Sequence, residues 1–336
     1  MTLETVWFCV VALFWAGYLF LDGFDFGVGM LLPLLGRDNT ERRVVVNTIG
    51  PVWDGNEVWL IVAVGVMFAA FPGWYAGLLS GAYLLLLLLL LALIGRGVAF
   101  EYRGKVDSAR WRRGWDLVIM AGSWLPPLVV GTMLATTVLG LPLDESGHRV
   151  GSALSAIRPA TVLGGLAVAA FSFAHGANFL TLKTSGGMRH RARSVALWAV
   201  PGSLVPLAMF LIVVQTQFGH VWTVVPLLAA LGLGSIAWWR LRCDRDGQAF
   251  TAFSGVILAV VVTLFGALFP NVLNSTIDSS NSLTVVDAAS GSYTLRVMSW
   301  LAAFGAPAVL VYQSWTYWVF RKRIKTPTET TAEVSA

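Results

Sequence analysis

The chain has 336 residues, of which 57% are apolar and 12% are charged, and its formal net charge is +5. An ordinary soluble domain is about 25% charged, and a spanning helix needs about 20 mainly apolar residues to cross roughly 30 Å of hydrocarbon. Such apolar stretches recur along nearly the whole sequence, which excludes a large soluble domain between them. The composition therefore predicts an all-α, polytopic membrane protein.

Nine apolar segments follow one another along the chain, and each is long enough to span a membrane. They cover approximately residues 5–35, 50–70, 75–98, 116–139, 158–181, 195–217, 222–241, 250–270 and 294–320. The first segment is too long for the apolar part of a cleavable signal peptide, and no basic residue precedes it. We therefore expect it to be the first permanent span.

The basic residues predict the orientation, because short cytoplasmic loops are enriched in Lys and Arg. Of the 23 Lys and Arg residues, all but Arg149, Arg158 and Arg296 follow spans one, three, five, seven or nine. This bias predicts an N-terminus outside and a C-terminus in the cytoplasm. Because the basic loops are topology signals that also attract anionic lipid headgroups, no nucleic-acid partner is predicted.

Ionisable side chains are concentrated in the cytoplasmic half of the first four spans. They are Asp22 and Asp25 in span one, Asp54 and Glu57 in span two, Arg96, Glu101 and Arg103 at the end of span three, and Asp116 at the start of span four. A charge at the centre of a spanning helix costs about 2.5–3.5 kcal/mol or more, so such groups usually face the protein interior. The two i,i+3 pairs of acids each share one helix face.

These groups have two interpretations. They could form structural ion pairs, for instance Arg96 with Glu101 or Asp116, that hold the first four helices together. They could also line a polar pocket or access channel that opens towards the cytoplasm. For Asp54 and Glu57 we favour a proton relay, because carboxylates outnumber the nearby buried bases. A cation held by Asp25 and Asp116 is a further alternative.

Histidine and cysteine patterns argue against a cofactor in this chain. A haem needs axial ligands such as His, Met or Cys at membrane depth, and only His175 of the four histidines lies clearly inside a span. We interpret His175 as an interior histidine whose ring is hydrogen-bonded within the protein. The alternative is that His175 is a haem ligand and the chain is a membrane anchor that carries haem b. Cys9 and Cys243 are expected to be inert thiols, with neither a disulfide nor metal-binding spacing. The polar outer segment 271–293 is expected to be a docked cap.

Several motifs resemble subunit II of cytochrome bd-type quinol oxidases, which use ubiquinol or menaquinol. In chain order they are DGFDFGVGM (22–30), TERR (40–43), WDGNEVWL (53–60), RGVAFEYR (96–103), GSWLPP (122–127) and the stretch 281–300. The similarity runs in order from about residue 15 to about residue 320 and is looser over 140–250.

The resemblance implies nine spans arranged as two four-helix bundles plus one peripheral helix. On this basis residues 1–140 form the first, carboxylate-bearing bundle and residues 141–270 the second. Residues 271–320 form the outer loop and the ninth helix, and 321–336 are predicted to be a disordered cytoplasmic tail.

The resemblance also implies a heterodimer with subunit I in a bacterial inner (cell) membrane. Subunit I of the family carries haems b and d and the quinol site, whereas subunit II binds no haem. Quinol oxidation at the outer side reduces O₂ to water with protons taken from the cytoplasm. Small single-span accessory subunits and a structural quinone (menaquinone or ubiquinone) are further candidate partners of this chain.

In the family, a hydrophilic channel at the subunit interface involves a Trp-Asp pair, which is here Trp53 and Asp54. We therefore expect a proton pathway formed by Trp53, Asp54, Glu57, Asp25 and Glu101. A second set of polar residues, Asp22, Arg96, Arg103 and Asp116, is expected to have a structural role by forming ion pairs with one another. The alternative function is a secondary proton- or ion-coupled transporter, which usually has interrupted helices at matching positions of two repeats.

Overall fold

A computed structural model describes residues 2–325, and these residues are predominantly helical. The elements are α1 (Leu3–Leu35), α2 (Asn39–Asn47), α3 (Trp53–Ala70), α4 (Pro72–Gly81), α5 (Tyr83–Tyr102), α6 (Ala109–Leu139), α7 (Pro159–Lys183), α8 (Gly186–Phe218), α9 (Val224–Arg242), α10 (Asp246–Leu268), β1 (Asn271–Leu273), β2 (Leu283–Thr284) and α11 (Ser292–Val319). Within the described range, nine helices are long and apolar enough to cross a membrane, and only α2 and α4 are too short. The predicted all-α fold with nine spans is confirmed.

The helix boundaries differ from the apolar segments at several points. The predicted third span divides into α4 and α5, because Pro72 starts a new helix after Phe71 and a break follows at Ala82. Helix α6 begins seven residues before the predicted start, where the Ser108 hydroxyl caps the backbone N–H of Trp111 at 3.4 Å. Hydropathy marks the part of a helix that lies in hydrocarbon, whereas the helix itself continues into the polar interface.

Helix α1 occupies the centre of the packing, in contact with α3, α6, α7 and α10. Its approach to α7 depends on glycine: a Cβ at Gly27 would lie 2.0 Å from the carbonyl oxygen of Ser172, and one at Gly176 would lie 2.3 Å from the Gly27 carbonyl carbon. Small residues allow backbones to approach closely where no hydrophobic effect drives helices together. The division into two bundles at residues 140 and 270 stays a prediction.

Two helices show how the chain meets lipid. In the leucine run of α5, Leu85 and Leu89 are buried, whereas Leu88 and Leu91 are exposed, so one face packs and the other is free. Helix α11 is almost wholly exposed, with Leu295 as its buried residue among those described. This position agrees with the expected peripheral ninth helix.

The basic segments meet at one end of the helices, which we call the basic end. Its ion pairs are Arg42–Asp116, Arg103–Asp116, Arg191–Glu41, Arg189–Asp246 and Arg323–Asp246. Residues 321–325 belong to this end, since the backbone N–H of Ile324 donates to the carbonyl oxygen of Lys183 at 2.8 Å. The predicted tail therefore does not begin at residue 321, and 326–336 lie outside the described residues.

The opposite end is covered by the segment between α10 and α11. Strand β1 pairs with β2 in antiparallel orientation. The Asn274 side chain donates to the carbonyl oxygen of Val138 at 2.6 Å, and that of Asn281 donates to the carbonyl oxygen of Leu143 at 3.0 Å. The segment is thus a docked cap, as expected, and it is held to the end of α6 and the loop that follows.

Candidate functional site

A buried group of polar side chains joins α1, α3 and α5, and we call it the polar cluster. It consists of Asp22, Asp25, Asn56, Glu57 and Arg96. All except Glu57 are 0% exposed. Asp22 and Asp25 face this cluster together because residues three apart lie on one side of a helix. The structure therefore brings three of the expected carboxylates together with the expected arginine.

Arg96 is the cation of the polar cluster. Its Nη1 lies 3.4 Å from Oδ1 of Asp22 and 3.2 Å from Oε2 of Glu57. The guanidinium carbon lies 4.5 Å from the ring centroid of Phe26 and 5.3 Å from that of Phe100, which adds a cation–π contribution. One side chain thereby ties α5 to both α1 and α3.

Asn56 connects the polar cluster to the peripheral helix. Its Nδ2 donates to Oδ2 of Asp25 at 2.7 Å and to the carbonyl oxygen of Leu21 at 3.4 Å. Its Oδ1 accepts from Nε2 of Gln313 at 3.0 Å and from the hydroxyl of Tyr317 at 2.8 Å. The amide thus uses both of its N–H donors and both of its acceptor positions, and it fixes α11 against α3.

Asn56, Gln313 and Tyr317 are not among the site residues predicted from the sequence. A usable signal existed, since Gln313 and Tyr317 are spaced i,i+4 and so share one helix face, and Gln313 follows the apolar run 300–311. Asn56 lies between the two acids of span two, in the motif that carries the family resemblance.

Several buried polar atoms of this region have no hydrogen-bond partner within residues 2–325. They are Oδ2 of Asp22, Oδ1 of Asp25, Nε and Nη2 of Arg96, and the hydroxyl of Tyr18 one turn away on α1. Buried polar groups in proteins are nearly always hydrogen-bonded, commonly to ordered water. These buried atoms are therefore the kind of donors and acceptors that ordered water binds inside a protein.

Asp54 and Trp53 lie at the edge of the polar cluster. Asp54 is exposed on α3, one turn before Glu57, whose side chain is 21% exposed. The half-buried ring of Trp53 packs at 5.0 Å from that of Phe100. The carboxyl groups of Asp54 and Glu57 therefore connect the surface of the chain with the buried acids within one turn of α3.

Glu101 does not join the polar cluster. It is exposed near the end of α5, and the expected ion pairs of Arg96 with Glu101 or Asp116 were wrong, because Arg96 binds Asp22 and Glu57 instead. A residue five positions later is rotated by about 140° around a helix. Arg96 and Glu101 consequently point in different directions.

Asp116 and Arg103 form a separate cluster at the basic end. Asp116 accepts from Nε of Arg103 at 2.5 Å and from Nη1 of Arg42 at 2.8 Å, and Nη2 of Arg103 also donates to Asn39 at 3.1 Å. Asp25 and Asp116 thus have different partners. Among the residues that the structure describes, no group of three or more His, Cys, Asp or Glu side chains is placed to hold a metal ion.

His175 is enclosed by aromatic rings inside the helix packing. It is 0% exposed, and its Nε2 lies 3.2 Å from the carbonyl oxygen of Phe20. The Phe250 ring is stacked on it at 4.9 Å, with Phe171 at 5.3 Å and Phe24 at 5.7 Å. His175 is therefore an interior histidine, and the rings fill the space beside it. Its Nδ1 has no partner within the described chain.

Comparison with known proteins identifies the family. The family model described as cytochrome bd terminal oxidase subunit II matches residues 3–320. The chain belongs to this family. It is 40% identical to cytochrome bd ubiquinol oxidase subunit 2 of Bacillus subtilis (strain 168) over 329 residues, covering 96% of this chain and 97% of the relative. It is 34% identical to cytochrome bd-I ubiquinol oxidase subunit 2 of Escherichia coli (strain K12), covering 96% and 95%.

A solved structure supports the fold assignment of this bd oxidase subunit II. A chain in the structure of bd oxidase from Geobacillus thermodenitrificans superimposes with a TM-score of 0.76 at 19% identity, covering 96% of this chain and 100% of that chain. Family membership favours a subunit of an oxidase complex over the transporter alternative.

Proposed function

We propose that this subunit II pairs with a haem-bearing subunit I and supplies protons for the reduction of O₂ to water. The proposed setting is a bacterial inner membrane, with the basic end at the cytoplasm, the N-terminus outside and quinol as the electron donor. The collection of the basic segments at one end of the helices supports this orientation. Family membership supports the pairing.

The proposed route begins at Asp54 and Trp53 and continues through Glu57 into the polar cluster. The main support for this route is that acidic side chains outnumber basic ones in the polar cluster. The polar cluster has three carboxyl groups and one base: Arg96 pairs with Asp22 and Glu57, whereas Asp25 accepts a hydrogen bond from Asn56. Full ionisation of all three carboxyl groups would leave uncompensated charge in the membrane. The cluster therefore contains groups that can hold a proton as well as release one.

We place haems b and d in subunit I and none in this chain. The surroundings of His175 support this assignment, since its Nε2 lies 3.2 Å from the carbonyl oxygen of Phe20 and its ring is 0% exposed among aromatic side chains. The role proposed for this subunit is therefore to bind and stabilise its partner and to conduct protons. A structural quinone and small accessory subunits remain proposals from the family resemblance.

The route is tested by Asp54→Asn in the assembled complex. The variant keeps the size of the side chain but removes its ability to carry a proton, so O₂ consumption with excess quinol should fall about tenfold or more. The haem absorption spectrum should stay unchanged. The matched control is Asp107→Asn, another acid near the basic end, whose side chain is fully exposed and pairs with Arg112.

Undiminished turnover in Asp54→Asn would remove this carboxyl from the route. Loss of haem absorbance in the same variant would instead assign Asp54 a structural role in holding subunit I.

A further inference from the structure

We propose that a groove at the start of α6 binds an anionic phospholipid, with the headgroup beside Arg110 and an acyl chain along the outer face of the helix. This groove lies away from the polar cluster, and the proposal does not depend on the proton route. It requires only that α6 spans a membrane.

The groove is a shallow depression on the outer face of α6, and two tryptophans are among the residues that line it. Its volume is about 530 Å³, and Arg110, Trp111, Gly114 and Trp115 are among the residues that line it. The two indole rings lie 5.6 Å apart at 73°. Trp111 is fixed by a hydrogen bond from its Nε1 to the carbonyl oxygen of Tyr102 at 2.9 Å. Tryptophan is enriched at the level of lipid headgroups, which is the depth expected for the basic first turns of α6.

Exposed apolar residues continue from Gly114 along α6. A Cβ at Gly114 would meet no heavy atom within 4 Å, so there is open space beside the backbone. On the same side of α6, Leu117 is 61% exposed and Trp124 is 42% exposed. Arg110, Leu117 and Trp124 are spaced by seven residues, which returns to nearly the same helix face. From Arg110 to Trp124 the helix rises about 21 Å, which is enough to accompany an acyl chain.

The charge around the groove selects an anionic headgroup. Lys105, Arg110 and Arg113 are exposed and make no ion pair within the described range, whereas Arg112 is paired with Asp107 at 2.8 Å. Each basic residue near a membrane surface strengthens the binding of anionic lipid by about fivefold. A zwitterionic lipid or a quinone headgroup would gain little from these charges. The combination of an apolar groove with unpaired basic residues therefore favours an anionic phospholipid.

The test is native mass spectrometry of the detergent-solubilised complex that contains this chain, titrated with dioleoyl phosphatidylglycerol or dioleoyl phosphatidylcholine. Gly114→Leu fills the groove without a steric conflict in the fold. Its matched control is Gly232→Leu, because Gly232 is also an exposed helical glycine with no heavy atom within 4 Å of an added Cβ. Arg110→Gln removes the positive charge that lines the groove. Its matched control is Arg43→Gln, which removes an exposed positive charge elsewhere at the basic end.

The wild-type complex should bind one phosphatidylglycerol more tightly than any phosphatidylcholine. Gly114→Leu should abolish that tight site, and Arg110→Gln should weaken it about fivefold, with both control variants unchanged. Gly114→Leu should also unfold at the same temperature as the wild type or higher, since leucine favours a helix over glycine.

Unchanged phosphatidylglycerol binding in Gly114→Leu would overturn the proposal, as would equal binding of the two lipids by the wild type. Gly114→Leu could instead release a partner subunit or a bound quinone while phospholipid stays bound. That result would show that the released molecule occupies the groove, and it would contradict the proposal.

Discussion

Replacing Arg96 by methionine should destabilise the chain strongly, because it removes the single guanidinium of the polar cluster. Asp22 is 0% exposed and has Arg96 as its ion-pair partner at 3.4 Å, whereas Glu57 keeps 21% of its side chain exposed and can be hydrated. Removing one partner of a buried ion pair costs about 3–5 kcal/mol, since the other charge is left without compensation. Most of the lost free energy of unfolding should therefore come from leaving the buried Asp22 carboxylate without its cation.

The pairing of Asp22 and Arg96 can be separated from simple packing with a double variant. Arg96→Met combined with Asp22→Asn leaves no buried charge without a partner at this contact, so it should recover most of the lost free energy of unfolding. The control is Arg112→Met, which breaks an ion pair with the fully exposed Asp107 and should cost about 1 kcal/mol or less.

The assay is unfolding of the purified complex by SDS in mixed micelles, followed by the loss of helical circular dichroism. The buried ion-pair explanation is refuted if Arg96→Met costs no more free energy of unfolding than Arg112→Met. It is also refuted if Asp22→Asn adds a second penalty to that of Arg96→Met, because the two side chains would then contribute independently.

Three further substitutions test contacts between helices and between the cap and α6. Gly27→Ala should prevent assembly of the complex, measured by gel filtration, because its Cβ would lie 2.0 Å from a backbone oxygen of α7. Asn274→Ala should cost about 1–3 kcal/mol, because it leaves the carbonyl oxygen of Val138 buried without its 2.6 Å hydrogen bond; limited proteolysis of the cap should then be faster. Asn56→Leu removes the acceptor for Tyr317 at 2.8 Å, so amide hydrogen exchange in α11 should increase, and an unchanged rate would contradict the role given to this contact.

The number of spans could be predicted from the sequence, but the helix ends could not. Hydrocarbon thickness fixes the length of each apolar segment, and nine candidate spans are present among the described residues. The first turns of α6 contain Arg110, Arg112 and Arg113, which a hydropathy argument excludes from a span. These residues are nevertheless helical, because helix formation continues beyond the membrane surface.

The composition of the polar cluster was partly predictable, but its pairing was not. The i,i+3 spacing of Asp22 and Asp25 indicates that both face inward, and both are buried. The choice of Glu57 as a partner of Arg96 depends on how α3 and α5 are rotated and at what depth they meet. Spacing within one helix carries no information about that arrangement. Helical rotation could, however, have excluded Glu101 in advance.

In the proposed function, protons for O₂ reduction enter through the carboxyl groups of this subunit from the basic end. The most direct measurement is proton uptake by the complex in sealed vesicles, followed with a pH dye placed on the side of that end while O₂ consumption is started by quinol. Asp54→Asn should slow proton uptake and O₂ consumption together, with a normal haem spectrum. Wild-type rates of both in that variant, or uptake from the cap end, would contradict it.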